Sequence, residues 1–272
     1  MDPKPEAAGN RRRSPHAQAW LLGAAGVAIA LAAWTLLAYL LAGGGGVINR
    51  LPTPLRVARD LLRYASADLA RDVLSSLRVF LLGWLGGVVC ATLAGLLLGR
   101  VRLLANVFLP VVEAIRPVSS IAWVPLSIVW FGFGLTGKVF LVGLAVFLVV
   151  IVYALDGARR IPPDLVRTAS MLGMNARQRF ASLVLPGTLA EVLIGSRVAL
   201  MAGWGTVIVA ELVAADSGLG AHLIGVEQSY DVPAVMATMA CFALTGFAMN
   251  ALFTLAERRL MPWRSDDTLA AP

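Results

Sequence analysis

Glu113 and Arg116 stand three residues apart inside a strongly apolar stretch and are followed by Pro117, Ser119, Ser120 and Trp123. On a helix, positions i and i+3 share a face, so the carboxylate and the guanidinium can reach one another. A charge in hydrocarbon is costly, and such groups face the interior of a bundle or a water-filled cavity. Beside them a proline break, two hydroxyls and an indole could contact a polar solute. Glu113, Arg116, Ser119, Ser120 and Trp123 are therefore candidates for lining a path across a membrane; the competing reading of the first two is a structural pair near the end of a span. A second apolar stretch carries Arg197, Trp204 and Glu211. Arg197 and Glu211 are fourteen residues apart, about 21 Å along a helix, so they do not pair directly. Solute contact, gating and a structural role are all open to them.

Catalytic chemistry has little support. The two histidines, His16 and His222, and the two cysteines, Cys90 and Cys241, are unclustered and lack a CxxC spacing, which disfavours metal ligation, a disulfide or a nucleophile with its base. Both cysteines read as small core residues. His222 is expected at the outer surface, with a proton-relay role disfavoured. No GxxxxGK[ST] pattern occurs, so no nucleotide site is expected. The net charge of +7 reflects loop arginines, which report topology and anionic lipid. No basic and aromatic platform for nucleic acid is visible.

The elements that must hold these residues are membrane helices. Apolar residues make up 58% of the 272 and charged residues 14%, more apolar mass than one soluble core can hide. Six stretches are long enough, at roughly 20 residues each, to cross a ~30 Å hydrocarbon layer. They lie near residues 19–42, 77–98, 106–130, 138–156, 187–211 and 233–256, giving an all-α membrane protein. Runs such as Leu81 to Gly87 are rich in small residues, which lets helices pack closely in lipid.

Arginine and lysine placement sets the orientation. With the N-terminus inside, fourteen of these charges fall on the cytoplasmic side and six outside, favouring cytoplasmic N- and C-termini. The outer segment 43–76 carries five of the six, and after Pro52-Thr53-Pro54 its Leu55, Arg59, Leu62 and Arg63 form a mixed face suited to the outer interface. Residues 1–18 read as a charged, disordered tail. Arg11 to Arg13 precede an apolar run too long for a signal peptide, and Gly43 to Gly46 is a poor cleavage site. Residues 257–272 form the other tail.

Between the fourth and fifth spans lies a basic insert, 159–186. Pro162-Pro163 pre-sets a helix start with Asp164 in its first turn, and Leu165, Ala169 and Leu172 share one apolar face. Gly173 suits a left-handed closing position. Asn175 and Gln178 match a capping box opening a second short helix that runs through Phe180 to Val184 and stops before Pro186. A folded connector of this length generally has a task beyond joining two spans.

In this insert the sequence resembles the permease subunits of bacterial ABC importers that depend on a binding protein. Their pattern is a Glu-Ala-Ala triplet, three residues, Gly, nine residues, an aliphatic residue, any residue, then Leu-Pro. Here Arg167-Thr168-Ala169, Gly173 and Leu183-Val184-Leu185-Pro186 keep every spacing. Ile194 to Leu200, Trp204, Ala210-Glu211, Asp216 to Gly220, Trp130 to Gly134, Lys138 and Glu257 to Arg264 extend the likeness and look like the branch handling nitrate, sulfonates and taurine; together it covers roughly residues 50–264. Two departures stand out. Arg167 replaces the acidic residue and Thr168 the first alanine, while Val118-Ser119-Ser120 stands where relatives carry further prolines.

The resemblance implies a type I importer permease fold, with residues 77–256 as the permease core. It implies an ATPase-coupling helix drawing on Asp164, Leu165, Arg167, Thr168, Ala169, Leu172, Gly173, Phe180, Leu183, Leu185 and Pro186. Asp216, Ser217, Gly218, Leu219 and Gly220 become a mobile outer turn at a gate or at the binding protein. The implied partners are two ATP-binding cassette subunits, a second permease copy forming a homodimer, an external or lipid-anchored substrate-binding protein and membrane lipids. ATP and Mg belong to the ATPase, and this chain binds no cofactor. The implied location is the bacterial inner membrane and the implied cargo a small anion. An ion-coupled secondary transporter is the alternative, for which inverted repeats would be the sign; none is seen.

Overall fold

The structure, a computed structural model, describes residues 15–41, 51–64, 67–213 and 216–260. The other parts of both tails and the Gly43 to Gly46 run lie outside the described residues. Every regular element among the described residues is helical: α1 (Pro15–Leu41), α2 (Pro54–Tyr64), α3 (Ala67–Arg100), α4 (Arg102–Ile115), a 3-10 turn (Ser120–Trp123), α5 (Val124–Phe131), α6 (Leu135–Arg159), α7 (Pro163–Met171), α8 (Ala176–Arg179), a π turn (Phe180–Val184), α9 (Leu185–Val213), α10 (Leu219–Gln228) and α11 (Val232–Leu260). Residues up to Asp60 form one compact unit and those from Leu61 a second.

In the first unit, α1 is an apolar rod whose span, Leu22–Leu41, is long enough to cross a bilayer. It starts at Pro15, inside the segment expected to be a disordered tail, because proline's fixed φ suits a first helical position. In α2, Leu55 is exposed, as is Leu62 beyond the unit boundary, with Arg56, Arg59 and Arg63 on the same short helix.

Among the described residues five helices are long and apolar enough to span, and the pair α4 and 120–131 makes a sixth if counted as one broken span. The third span is interrupted near the expected proline break, and its two halves are bent by 100°. Pro117 follows the C-cap residue, Arg116, and has no N–H with which to continue the α4 hydrogen-bond ladder. Pro125 then sits in the first turn of α5. α3 also differs, beginning at Ala67 rather than near residue 77; its 34 residues reach about 51 Å.

α6 is the central helix of the second unit, with α3 on one side and α9 on another. Facing α6, α3 presents Gly83, Gly87, Ala91, Gly95 and Gly99, one small residue every four. A Cβ on Gly83 would stand 2.7 Å from Val142, and one on Gly87 2.6 Å from the carbonyl oxygen of Gly143 and 2.9 Å from Val146. Gly95 and Gly99 meet Ala154 and Ala158 in the same way. On the α9 side, Gly203 packs on Val146 and Gly195 on Tyr153. Val142, Val146, Val150 and Ala154 are completely buried in consequence. Of the two cysteines expected in the core, only Cys241 is buried; Cys90 points outward from α3.

Gly86 and Gly87 are neighbours with opposite surroundings, since nothing lies within 4 Å of a Cβ at Gly86. Gly87→Leu should therefore lower the stability of the detergent-solubilised chain by about 1–3 kcal/mol, the usual cost of overpacking. Gly86→Leu should be close to neutral. Thermal melts read by intrinsic fluorescence check the contrast, and equal losses would contradict the assigned helix contact.

Candidate functional site

At the break between α4 and α5, the backbone leaves the helix at Arg116 and returns to it at Ser120. Ser119 is exposed there, while Ser120 and Trp123 are half-buried. Thr206 of α9 donates to the carbonyl of Ala202 and lies 3.5 Å from the Ser120 hydroxyl. The Trp123 indole N–H is buried with no partner among the described residues. Non-helical backbone at membrane depth is tolerated only within protein or beside a water-filled cavity, so this break is the part of the fold suited to a polar lumen. Nothing in the sequence around Thr206 marks it; only the tertiary approach of α9 brings it here.

Glu113 and Arg116 do not pair. Among the described residues no ion pair within 4.0 Å includes either one; both instead line a recess of about 160 Å³ between α4 and α6, shared with Asp156 and Arg159. The spacing acid-x-x-Arg recurs on the two helices, a signal present in the sequence.

The other three path candidates separate. Arg197 contacts Glu257 of α11 at 3.3 Å. Trp204 is 4% exposed, stacks on Phe242 at 4.2 Å, meets Phe80 edge-on and donates from Nε1 to the Phe242 carbonyl at 3.1 Å. Glu211 is fully buried, accepting from Ser76 Oγ at 2.9 Å and from the Gly220 N–H at 2.8 Å. Trp204 and Glu211 thus face the protein's own core, which favours the structural role among the readings open to them over solute contact. The reason is that α9 turns its small-residue faces, and these two side chains with them, towards α3, α6 and α11.

Glu211 helps to pin the turn that follows α9. Gly218 has φ +102° and its missing side chain makes room for the Glu211 carboxylate. The Leu219 N–H donates to Ser76 Oγ at 2.9 Å, and Ser75 Oγ donates to Ser217 Oγ at 3.0 Å. Lys138, 4% exposed in the first turn of α6, contacts Asp216. The turn Asp216 to Gly220, read as mobile from its composition, is tied at its two serine contacts, at Glu211 and at Lys138. Lys138's hydrogen bond lowers the Asp216 carboxyl below the usual aspartate value, against the opposing effect of partial burial. His222, expected at the surface, is half-buried, stacked on Tyr64 at 3.8 Å and 4.0 Å from Asp72.

At the other end of the bundle, α7 closes on Gly173. The Gly173 N–H donates to the Ser170 carbonyl and the Met174 N–H to the Ala169 carbonyl, each at 3.1 Å, with Gly173 at φ +77°. This double closure needs a left-handed residue just past the helix. Asn175 and Gln178 form the reciprocal cap at 2.8 Å in both directions. The second helix does not stop before Pro186. It widens into the π turn and continues as α9, with Pro186 in the first turn of α9. Proline cannot donate to the carbonyl four residues back and its ring crowds that carbonyl, which the wider turn relieves.

On the expected apolar face Ala169 is buried while Leu165 and Leu172 are 51% and 76% exposed; Met171, on another side of the helix, is 86% exposed. Arg167 contacts Asp164 one turn earlier at 3.4 Å, and Thr168 Oγ1 donates to the Asp164 carbonyl at 2.9 Å. Phe180 lies under the Arg100 guanidinium at 5.3 Å, joining the π turn to the end of α3. Leu183 and Leu185 are half-buried.

A family profile described as "Binding-protein-dependent transport system inner membrane component" matches residues 87–265. The taurine transport system permease protein of Escherichia coli is 32% identical over 79% of this chain and 81% of its own length. A putative aliphatic sulfonates transport permease protein of Bacillus subtilis is 29% identical over 90% and 88%. The riboflavin transport system permease protein of Chloroflexus aurantiacus is 31% identical over 79% and 81%.

Asp216→Asn should destabilise the chain at neutral pH by about 1 kcal/mol, because the buried Lys138 ammonium loses its partner while solvent around the exposed Asp216 screens the pair. Lys138→Met with Asp216→Asn should recover much of the loss. A carboxyl whose folded value is lowered contributes fully above its unfolded value, near pH 4, and loses the contribution as pH falls through the folded value. Melting curves should thus show a constant gap between the unaltered chain and Asp216→Asn from about pH 5 to 8, shrinking only below about pH 4. A gap that closes near neutrality would contradict the pairing.

Proposed function

The chain belongs to the family of binding-protein-dependent transport system inner membrane components, and from that premise we propose that it is a transmembrane permease subunit of an ABC importer for a small anionic solute. The observation that carries the coupling part of this reading is the segment from α7 to the π turn. It joins two spans, is closed by a left-handed glycine and leaves Leu165, Met171 and Leu172 uncovered. Exposed apolar side chains on a capped connector suit a cleft on another subunit. Arg167 is answered within α7 by Asp164, so docking through the apolar face does not require the acidic residue usual at that position.

In this reading two ATPase subunits close on ATP, carry the docked α7 segments with them and shift the spans between inward-open and outward-open packings. ATP and Mg act on those subunits. Two copies of this chain enclose the path, lined by Ser119, Ser120 and Trp123 with Thr206. The turn from Asp216 faces the external binding protein, and the Gly173 end and both termini face the cytoplasm, an orientation supported by the fourteen-to-six distribution of basic residues. The anionic cargo is supported by the relatives that handle taurine and aliphatic sulfonates. The riboflavin relative has comparable identity although riboflavin is uncharged at neutral pH, so selection among solutes is assigned to the binding protein.

Substitution at Gly173 tests the coupling. Nothing lies within 4 Å of a Cβ there, so only the positive φ resists a side chain. Gly173→Val should insert and fold, yet lose most ATPase co-purification and substrate-stimulated ATP hydrolysis through roughly 1–3 kcal/mol of backbone strain. Gly173→Asn, which tolerates the left-handed region, should retain both. Full ATPase association and hydrolysis by Gly173→Val would sink the assignment.

A further inference from the structure

The recess between α4 and α6 combines two chemistries. Its charged part is Glu113 and Arg116 from α4 with Asp156 and Arg159 from α6; the rest of its lining is five aliphatic side chains, among them Leu109 and Ile151. Among the described residues, Glu113, Arg116 and Arg159 have no ion-pair partner within 4.0 Å, and Asp156 has only a loose contact with Arg160 at 4.0 Å. Two carboxylates and two guanidiniums left open in one recess of a membrane protein invite a ligand that is itself of both signs.

We propose that this recess seats the headgroup of a diacyl phospholipid carrying both a phosphodiester and a primary ammonium. Arg116 and Arg159 supply planar, permanently charged donors for the phosphate oxygens. Glu113 and Asp156 accept from the ammonium, which has three N–H donors. A trimethylated headgroup has no such donor, and a glycerol headgroup would meet the carboxylates without a positive charge. The aliphatic lining selects a lipid over a dissolved zwitterion, because a small polar solute gains little from burying apolar side chains, whereas an acyl or glycerol segment gains in proportion to the area removed from water. Arg159 lies in the last turn of α6, next to the connector that carries α7, so an occupied recess braces α4 against the helix that leads into that connector.

The test uses the full chain purified in a maltoside detergent with any partner subunits that co-elute. Phosphatidylethanolamine, phosphatidylcholine and phosphatidylglycerol of matched acyl chains are added, with glycerophosphoethanolamine as the tail-free headgroup; retained lipid is read by native mass spectrometry and melting temperature. Phosphatidylethanolamine should be retained about tenfold better than the other two lipids, equivalent to losing one charge-assisted contact, and the tail-free headgroup should have no effect. Glu113→Gln should erase the preference for phosphatidylethanolamine over phosphatidylcholine. Arg116→Gln with Arg159→Gln should weaken both, since both carry the phosphate. Equal retention of all three lipids, stabilisation by the tail-free headgroup alone, or variants that change the dimer population and leave lipid retention untouched would each overturn the proposal. If the variants fail to fold, the lipid competition on the unaltered chain decides it.

Discussion

The close approach of α3 to α6 is the constraint on which the rest of the second unit depends. Hydrocarbon is as apolar as the side chains it surrounds, so two helices in a bilayer gain nothing from merely hiding leucines; they gain from van der Waals contact at short range and from hydrogen bonds. A small residue every fourth position along α3, from Gly83 to Gly99, provides that range. With α6 fixed in this groove, its opposite surfaces become the floor for α9, and the positions of Lys138 at one end of α6 and Arg159 at the other are set.

The two ends of the bundle then use different physics. Around Glu211 buried polar bonds join α3, α9 and the Gly218 turn, with Ser76 as both donor and acceptor, while Glu211 Oε1 has no partner among the described residues. Around Gly173 the element is closed by backbone hydrogen bonds and an asparagine cap, with its apolar residues outward. One end is held by side-chain bonds between helices, and the other by local backbone closure.

Much of this was legible in the sequence because it depends on local chemistry. The helix-forming stretches follow from length and hydropathy, and the Asn175 to Gln178 cap and the left-handed Gly173 follow from residue type and spacing. What was not legible depends on which way a helix faces. Trp204 and Glu211 looked like lumen residues because a polar or aromatic group in a span usually has a task, but orientation about the α9 axis is decided by where Gly195 and Gly203 must lie. The failure of Glu113 and Arg116 to pair is of the same kind, since a second acid and arginine from α6 enter the neighbourhood only through tertiary packing. The stop expected before Pro186 failed for a local reason: a proline rule that ends α-helices is relaxed when a turn widens.

That widened turn has a mechanical meaning. Because α8, the π turn and α9 follow one another without an intervening loop, residues 176–213 form a single member of 38 residues, about 57 Å long. A rod of that length behaves as a crankshaft. If α8 is displaced by a partner, the continuous backbone offers a direct route from that end to Glu211 and the Gly218 turn, with the π turn and Pro186 as the place where it would bend. The extra residue in the π turn sets the angular phase between the two ends, so inserting or deleting one residue there would retime the shaft without changing either bearing.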